Sequence, residues 1–315
     1  MVRLAAVQDS PVSFNIAATI EKLDKLTGIA ASTPHSADIV VFPEAFVSCY
    51  PRGLGFGAVV GSRSPDGREW FLRCHESAVD IEGDSPEWQA IKQIAREKQV
   101  ILVLGVIEKD VSKHSTLFCT CVTIGRDGTL LAKHRKLMPT GSERLIWGQG
   151  DGSDLQIAQT DVGKIGAAIC WENYMPLMRY AMYAMGVEIY CAPTADARDG
   201  WVSSMRHIAT EGRCFVVSVN QFARKSDYPQ DYPAYEDKPA NHIVCRGGSV
   251  IVGPLGDILA GPLYDQSGIL IADVDLRDII RAKYDFDPLG HYSRPDVFHL
   301  VINNAAQSGP SFASS

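Results

Sequence analysis

Gly163-Lys164-Ile165-Gly166-Ala167-Ala168-Ile169-Cys170-Trp171-Glu172-Asn173 reads as an apolar strand that stops at a cysteine just before a helix. The run from Ile165 to Ile169 is continuous rather than alternating, as expected of a strand covered on both faces. Beyond Asn173, the residues Leu177, Tyr180, Ala181, Ala184 and Met185 share one helical face, which predicts a helix with a single buried stripe that closes at Gly186.

The same alternation recurs outward from this stretch. Strands are predicted at 3–8, 39–42, 100–107, 117–124, 164–169, 187–192 and 214–219. A further helix starts at Ser85-Pro86-Glu87, a cap residue followed by proline at the first helical position, and carries Trp88, Ile91, Ile94 and Ala95 on one face. Gly125-Arg126-Asp127-Gly128 and Pro254-Leu255-Gly256-Asp257 read as hairpin turns. Each half of the chain thus holds strand-helix units plus a hairpin, an α/β pattern that points to two stacked sheets. The stretch 224–239, with Tyr228-Pro229, Tyr232-Pro233 and Lys238-Pro239, reads as an exposed loop long enough for a lid or an interface. The chain is expected to form one domain over 1–300, with 301–315 a flexible tail.

Composition narrows the function classes. The chain has 315 residues, of which 46% are apolar, enough for a sizeable core. Its net charge of -7 comes without long basic blocks, which argues against nucleic acid as a partner. The first residues are too briefly apolar for a signal peptide, and the longest apolar run, 100–107, falls far short of the roughly 18 to 20 residues that cross a bilayer. Eight scattered cysteines, most in strand-like segments, suit a reducing cytoplasm and not a disulfide framework.

Three charged or nucleophilic groups stand at strand ends. At a strand-to-helix turn, Cys170 would be pushed into the open, where the helix N-terminus favours thiolate over thiol. A plain core cysteine is the alternative. Val40-Val41-Phe42-Pro43-Glu44 carries a strand into a lone carboxylate, either a base with a raised pKa or a surface glutamate. Lys133-His134-Arg135-Lys136 ends another strand with four basic residues, most of them expected in solvent and one able to point inward. None of the eight histidines sits in a recognisable cysteine-hydrolase setting, although sequence alone leaves a papain-like pairing open.

Taken together, these segments resemble the nitrilase branch of the carbon-nitrogen hydrolase superfamily. The resemblance runs from Ala5-Ala6-Val7-Gln8 through Phe42-Pro43-Glu44-Ala45-Phe46, the stretches 133–140 and 143–152, and on to His291-Tyr292-Ser293-Arg294-Pro295-Asp296. It implies a four-layer αββα sandwich that forms a homodimer or larger homo-oligomer. It also implies Glu44 as general base, Lys136 as the cation that stabilises the tetrahedral intermediate, Cys170 as nucleophile and Glu143 as the carboxylate holding Lys136. The Trp171 backbone N–H would complete the anion site. Tyr50, Trp171, Thr194 and Trp201 are the substrate-binding candidates, and neither metal nor cofactor is implied. Amidases share the same three catalytic residues, but Cys170 to Leu177 and Cys191-Ala192-Pro193-Thr194-Ala195-Asp196 look like true nitrilases. The implied substrate is therefore a small-molecule nitrile, converted to acid and ammonia through a cysteine thioimidate and thioester. An amidase, or an assembly protein that lost turnover, are the rival readings. Cys49 departs from the glycine that relatives carry before Tyr50-Pro51, which puts a larger side chain near the expected pocket.

The glycine-bearing stretches 53–57 and 148–152 lack the strand-to-helix context of a nucleotide loop and read as turns. Cys119 and Cys121, two apart on one strand, read as core thiols and not metal ligands.

Overall fold

A computed structural model of the chain describes residues 1–110 and 113–307. The first half runs β1 (Val2–Gln8), α1 (Ile16–Ala31), β2 (Ile39–Val41), α2 (Pro65–Glu76), α3 (Pro86–Lys98), β3 (Ile101–Lys109), β4 (Leu117–Ile124) and β5 (Leu130–Arg135). It continues with β6 (Ile157–Thr160), β7 (Gly163–Ala167), α4 (Pro176–Ala184), β8 (Ile189–Thr194), α5 (Asp199–Gly212) and β9 (Phe215–Asn220). The remainder is β10 (Phe222–Arg224), β11 (Ile243–Val252), β12 (Ile258–Tyr264), β13 (Gly268–Val274) and α6 (Arg277–Ala282).

One sheet has the order β13-β1-β2-β3-β4-β5, and the other β10-β11-β9-β8-β7-β6 with β12 paired to β11. Because neighbouring strand residues point to opposite faces, each sheet has two apolar sides to cover. Leu4, Ala6, Val41 and Val103 of the first sheet meet Ile165, Cys191, Val217 and Ile251 of the second in a shared central core. The other face of the first sheet, through Ala5, Val7, Val40 and Leu102, packs on Leu23 of α1 and Trp88 and Ile91 of α3. The other face of the second, through Tyr190, Val216 and Val250, packs on Met178 and Met182 of α4 and on Met205 of α5. The layers are helix, sheet, sheet, helix, as expected of an αββα sandwich.

Local rules account for the element ends. Ser85 accepts from Trp88 N at 3.2 Å with Pro86 at the first turn of α3, and Trp88, Ile91, Ile94 and Ala95 are its buried face. Both hairpins form, β4 pairing β5 and β11 pairing β12. β1 pairs β13 antiparallel over its full length, so the far end of the chain closes the first sheet.

Two expectations need correction. Leu177 is exposed, and the buried residues of α4 are Met178, Arg179, Ala181, Met182 and Tyr183. A 3-10 turn over Cys170–Tyr174 takes the place of the expected first helical turn, and α4 begins only at Pro176 with Met178, Met182 and Tyr183 packed into the core of the second sheet. The stretch 224–239 is also not a free loop. Tyr228 and Tyr232 are buried and stacked with ring centroids 4.6 Å apart, and their hydroxyls donate to the carbonyls of Tyr50 at 3.2 Å and Arg52 at 2.9 Å. Of the expected tail, 308–315 lies outside the described residues, while Gln307 N donates to Asp151 Oδ2 at 2.7 Å.

Gly105 shows how closely the first sheet approaches the site. A Cβ there would lie 2.2 Å from Pro43 O and 2.8 Å from Glu44 Cα, so β3 presses directly on the turn that carries Glu44.

Candidate active site

The C-terminal ends of β2, β5, β7 and β8 converge at one edge of the two sheets. Glu44 follows β2 in a turn where Ala45 has φ 51, and Gln221 Nε2 donates to the Glu44 carbonyl at 2.9 Å. Lys136 follows β5, where its N–H donates to Cys119 O at 2.8 Å and its carbonyl accepts from Gly150 N at 2.8 Å. Cys170 follows β7 with φ 51, a left-handed conformation that costs a non-glycine residue on the order of 1–3 kcal/mol. Such a conformation bends the chain sharply at the cysteine, before the 3-10 turn.

Lys136 is wholly buried, and its Nζ donates to Glu44 Oε1 at 2.6 Å and to Glu143 Oε2 at 2.7 Å. Glu143 is held further by Tyr50, whose hydroxyl donates to Oε1 at 2.7 Å, and by Thr140 N on Oε2 at 2.6 Å. Burial would drive the Lys136 ammonium to neutrality, but the surrounding Glu44, Cys170, Cys119 and Glu143 outweigh it and raise its pKa well above the ordinary lysine range. One ammonium bridging two carboxylates is the arrangement in which a buried charge is tolerated.

Glu44 Oε2 has no hydrogen-bond partner among the described residues. Burial, reinforced by Glu143, pushes the Glu44 carboxyl up, while Lys136 and the neighbouring Cys170 thiol pull it down. Glu44 therefore keeps one oxygen on Lys136 and one unpartnered, the disposition of a proton acceptor.

Cys170 is buried, and its thiol is pushed up to about 12 by burial and by Glu44, against Lys136 and hydrogen bonds from Thr194 and the Ala195 backbone. The expectation of an open, thiolate-favouring turn is thus corrected. A five-residue 3-10 segment brings little dipole, and desolvation dominates. Burial therefore favours the thiol form of Cys170 over the thiolate.

A cavity of about 480 Å³ opens over the sulfur, with Tyr50, Arg52, Thr140, Glu143, Cys170 and Trp171 on one side and Ala195 to Arg198 and Ile243 to Arg246 on the other. Tyr50 and Trp171 stand on its wall, and the Trp171 indole donates to Asp196 Oδ2 at 2.9 Å. Thr194 sits behind the sulfur, its hydroxyl 3.2 Å from Cys170 Sγ. Trp201 is corrected. It is buried in the α5 core with its indole on Ser218 Oγ at 2.8 Å, away from the cavity lining, because it faces the second sheet from α5. Cys49 likewise packs in the central core and not on the cavity wall.

The basic run is more buried than expected. Lys133 and Arg135 pair with Glu82 and Glu108. His134 is buried between Asp154 O and Glu172. Glu172, which sequence reasoning passed over although it lies two residues from Cys170, accepts from Leu137 N at 2.5 Å, Ile169 N at 2.8 Å and His134 Nε2 at 3.0 Å. Burial opposes a charged His134, but Glu172 and the Asp154 carbonyl raise its pKa. Glu172 therefore ties the residue after Lys136 to the residue before Cys170. Glu172→Gln is expected to lose an accepting oxygen and lower stability by about 1–3 kcal/mol. It should also cut kcat/KM about tenfold, because a small misplacement of the reacting groups is costly. Urea titration alongside steady-state kinetics checks both, and a variant with native values of each would refute the linkage.

Among the described residues no group of three or more histidine, cysteine or acidic side chains is placed to hold a metal ion. No helix among them is long and apolar enough to cross a membrane.

The carbon-nitrogen hydrolase family model matches residues 3–284. The bifunctional nitrilase/nitrile hydratase NIT4B of Nicotiana tabacum is 51% identical over 99% of this chain and 89% of its own length. The aliphatic nitrilase of Sinorhizobium fredii is 49% identical over 97% of both chains. Among solved structures, the carbon-nitrogen hydrolase of Helicobacter pylori superposes with a TM-score of 0.72 at 22% identity, covering 94% of this chain and 96% of that one, which shows the shared fold. Residues 3–284, the sandwich and the extent of the identity together establish that the chain belongs to the carbon-nitrogen hydrolase family.

Proposed function

We propose that the chain is a nitrilase, which converts a small nitrile to its carboxylic acid and ammonia with Cys170 as nucleophile. The observation that carries this reading is the meeting of Glu44, Lys136 and Cys170 beneath one cavity, in a chain about half identical to proteins named as nitrilases.

Glu44 takes the Cys170 proton as the sulfur forms a bond to the nitrile carbon, and that proton goes on to the nitrile nitrogen to give a thioimidate. Water then adds to the thioimidate carbon. The hydroxyl proton of that adduct passes by way of Glu44 to the nitrogen, and ammonia leaves as the carbonyl forms, which gives a thioester. A second water, deprotonated by Glu44, hydrolyses the thioester and returns the proton to sulfur. Lys136, held charged by Glu44 and Glu143, offsets the negative charge of each tetrahedral intermediate, and the Trp171 N–H adds a second donor. If carbon-sulfur cleavage precedes ammonia loss, an amide leaves instead. Two Nicotiana tabacum and two Lupinus angustifolius relatives named as bifunctional nitrilase/nitrile hydratases favour some amide release.

The chain to residue 300 is read as one catalytic domain. Eight free, buried cysteines support a reducing compartment, the cytoplasm. Exposed Trp171, Tyr174, Met175 and Leu177 beside the site support a homodimer or larger homo-oligomer.

Ammonia release from a panel of nitriles and the matching amides tests the assignment. Turnover of nitriles, abolished in Cys170→Ala with the fold intact by circular dichroism, is the expected result. Turnover of amides alone would make the chain an amidase, and turnover of neither would leave an assembly role.

A further inference from the structure

The charged groups on the cavity wall are unequal in their pairing. Glu143 is taken up by Lys136, Tyr50 and Thr140. Asp196 is taken up by Arg198 and the Trp171 indole. Arg246 lies 3.6 Å from both Asp199 and Asp265. Arg52 differs, since no carboxylate among the described residues lies within 4.0 Å of its guanidinium. Among the described residues its hydrogen bonds run from Nη2 alone, to Ala195 O at 2.6 Å and to Cys245 Sγ at 3.5 Å. Nε and Nη1 have no partner among the described residues, yet neither is among the buried unsatisfied atoms, so both reach open space.

A guanidinium is charged at every working pH, and leaving one half-buried without an anion is costly unless a ligand supplies the anion. The side chain is also fixed in advance. Tyr232 holds the Arg52 carbonyl, Tyr228 holds the Tyr50 carbonyl, and the guanidinium lies 5.0 Å from the Tyr50 ring centroid. Ala195 sets the spacing to the nucleophile. Its neighbour Thr194 places a hydroxyl 3.2 Å from the Cys170 sulfur, and its own carbonyl receives Arg52 at 2.6 Å. Two adjacent residues thus link the attacking atom to the unpaired cation.

We propose that Arg52 binds a carboxylate on the substrate, so that the preferred nitriles are short ω-cyano carboxylates whose cyano carbon meets Cys170 while the far end pairs with Arg52. This selectivity rests on the nitrilase reading. The planar fork of Arg52 suits a carboxylate better than a point cation would, and a trapped carboxylate also fixes the orientation of the cyano group. Neutral nitriles of the same length fill the cavity without meeting the fork.

The test compares kcat/KM for γ-cyanobutyrate with that for the nitrile in which an isopropyl group replaces its carboxylate, in the native chain, Arg52→Gln and Arg52→Lys. The native chain is expected to favour the carboxylate. Arg52→Gln should lower that preference about 10- to 100-fold, the worth of a charged hydrogen bond, and Arg52→Lys should fall between. Calorimetry of γ-cyanobutyrate binding to Cys170→Ala, with and without Arg52→Gln, reads the same contact without turnover. A native chain that prefers the neutral nitrile, or a preference and an affinity unmoved by Arg52→Gln, would overturn the proposal. Absence of nitrile turnover with an Arg52-dependent affinity would instead overturn the nitrilase reading and leave the carboxylate site standing.

Discussion

Glu44→Gln should lower kcat/KM for nitrile hydrolysis by about a thousandfold, the range expected when a general base is lost, while the chain remains folded. Burial pushes the Cys170 thiol up to about 12, so the protonated form is favoured at neutral pH and the thiol needs a base to give up its proton. Glutamine retains the shape of the side chain and an oxygen for Lys136, and Glu143 still balances the ammonium. What it removes is the oxygen that accepts the thiol proton. The native pH profile provides a second reading. A base works only when ionised, so activity falls as pH drops through the Glu44 pKa. Because burial raises that pKa, the acidic limb lies above the ordinary glutamate value of about 4.3. The limb should vanish from the residual activity of Glu44→Gln. A variant within tenfold of native, or one with an unchanged acidic limb, would assign the base elsewhere.

The same desolvation explains where sequence reasoning succeeded and where it failed. Continuous apolar runs such as Leu117–Ile124 locate strands well, since a strand covered on both faces has few polar alternatives. Strand ends are where the chain brings polar groups together, and Glu44, Lys136 and Cys170 were legible there as punctuation at the ends of such runs. Their protonation was not. The thiol was expected to be acidified by a helix N-terminus, yet the local element is a short 3-10 turn, and the cost of burying a charge is larger. The apolar stripe through Leu177 and Tyr180 is not the buried one, since Met178, Ala181 and Met182 offer an equally apolar stripe one residue on.

Contacts between distant residues were the least visible. Glu172 meets Leu137 and His134, 35 and 38 positions away, and Arg52 meets Ala195 across 143 positions. Neither pairing leaves a periodic trace in sequence. Tyr228 and Tyr232 looked like parts of a loose proline-bearing loop because proline marks a turn, while the phenols that anchor the stretch find their acceptors near residue 50. Trp201, a substrate-binding candidate from the resemblance, instead packs on the second sheet from the buried face of α5.

Lys136→Met is expected to cost more stability than Glu44→Gln and to abolish measurable turnover. Methionine fills much of the space of the lysine stem, so the loss is mainly electrostatic. Glu44 and Glu143 would be left buried together without the ammonium that bridges them, and breaking a buried pair in this way costs about 3–5 kcal/mol. The deficit has a predictable pH dependence. Without Lys136 the folded-state pKa of Glu44 rises further, so the folded variant binds more protons than the unfolded chain. Its destabilisation is then absent below the unfolded value of about 4.3 and grows as pH rises through the folded one, which makes the gap from native smallest in acid and largest near neutrality. Urea unfolding of both chains across this pH range measures it. Adding Glu44→Gln to Lys136→Met should recover part of the loss, since the double variant no longer buries two like charges. Such recovery of stability without recovery of activity would separate the structural work of the ammonium from its part in stabilising the tetrahedral intermediates. A Lys136→Met deficit that is constant with pH and unaffected by Glu44→Gln would mean that packing of the lysine stem, and not its charge, holds these strand ends together.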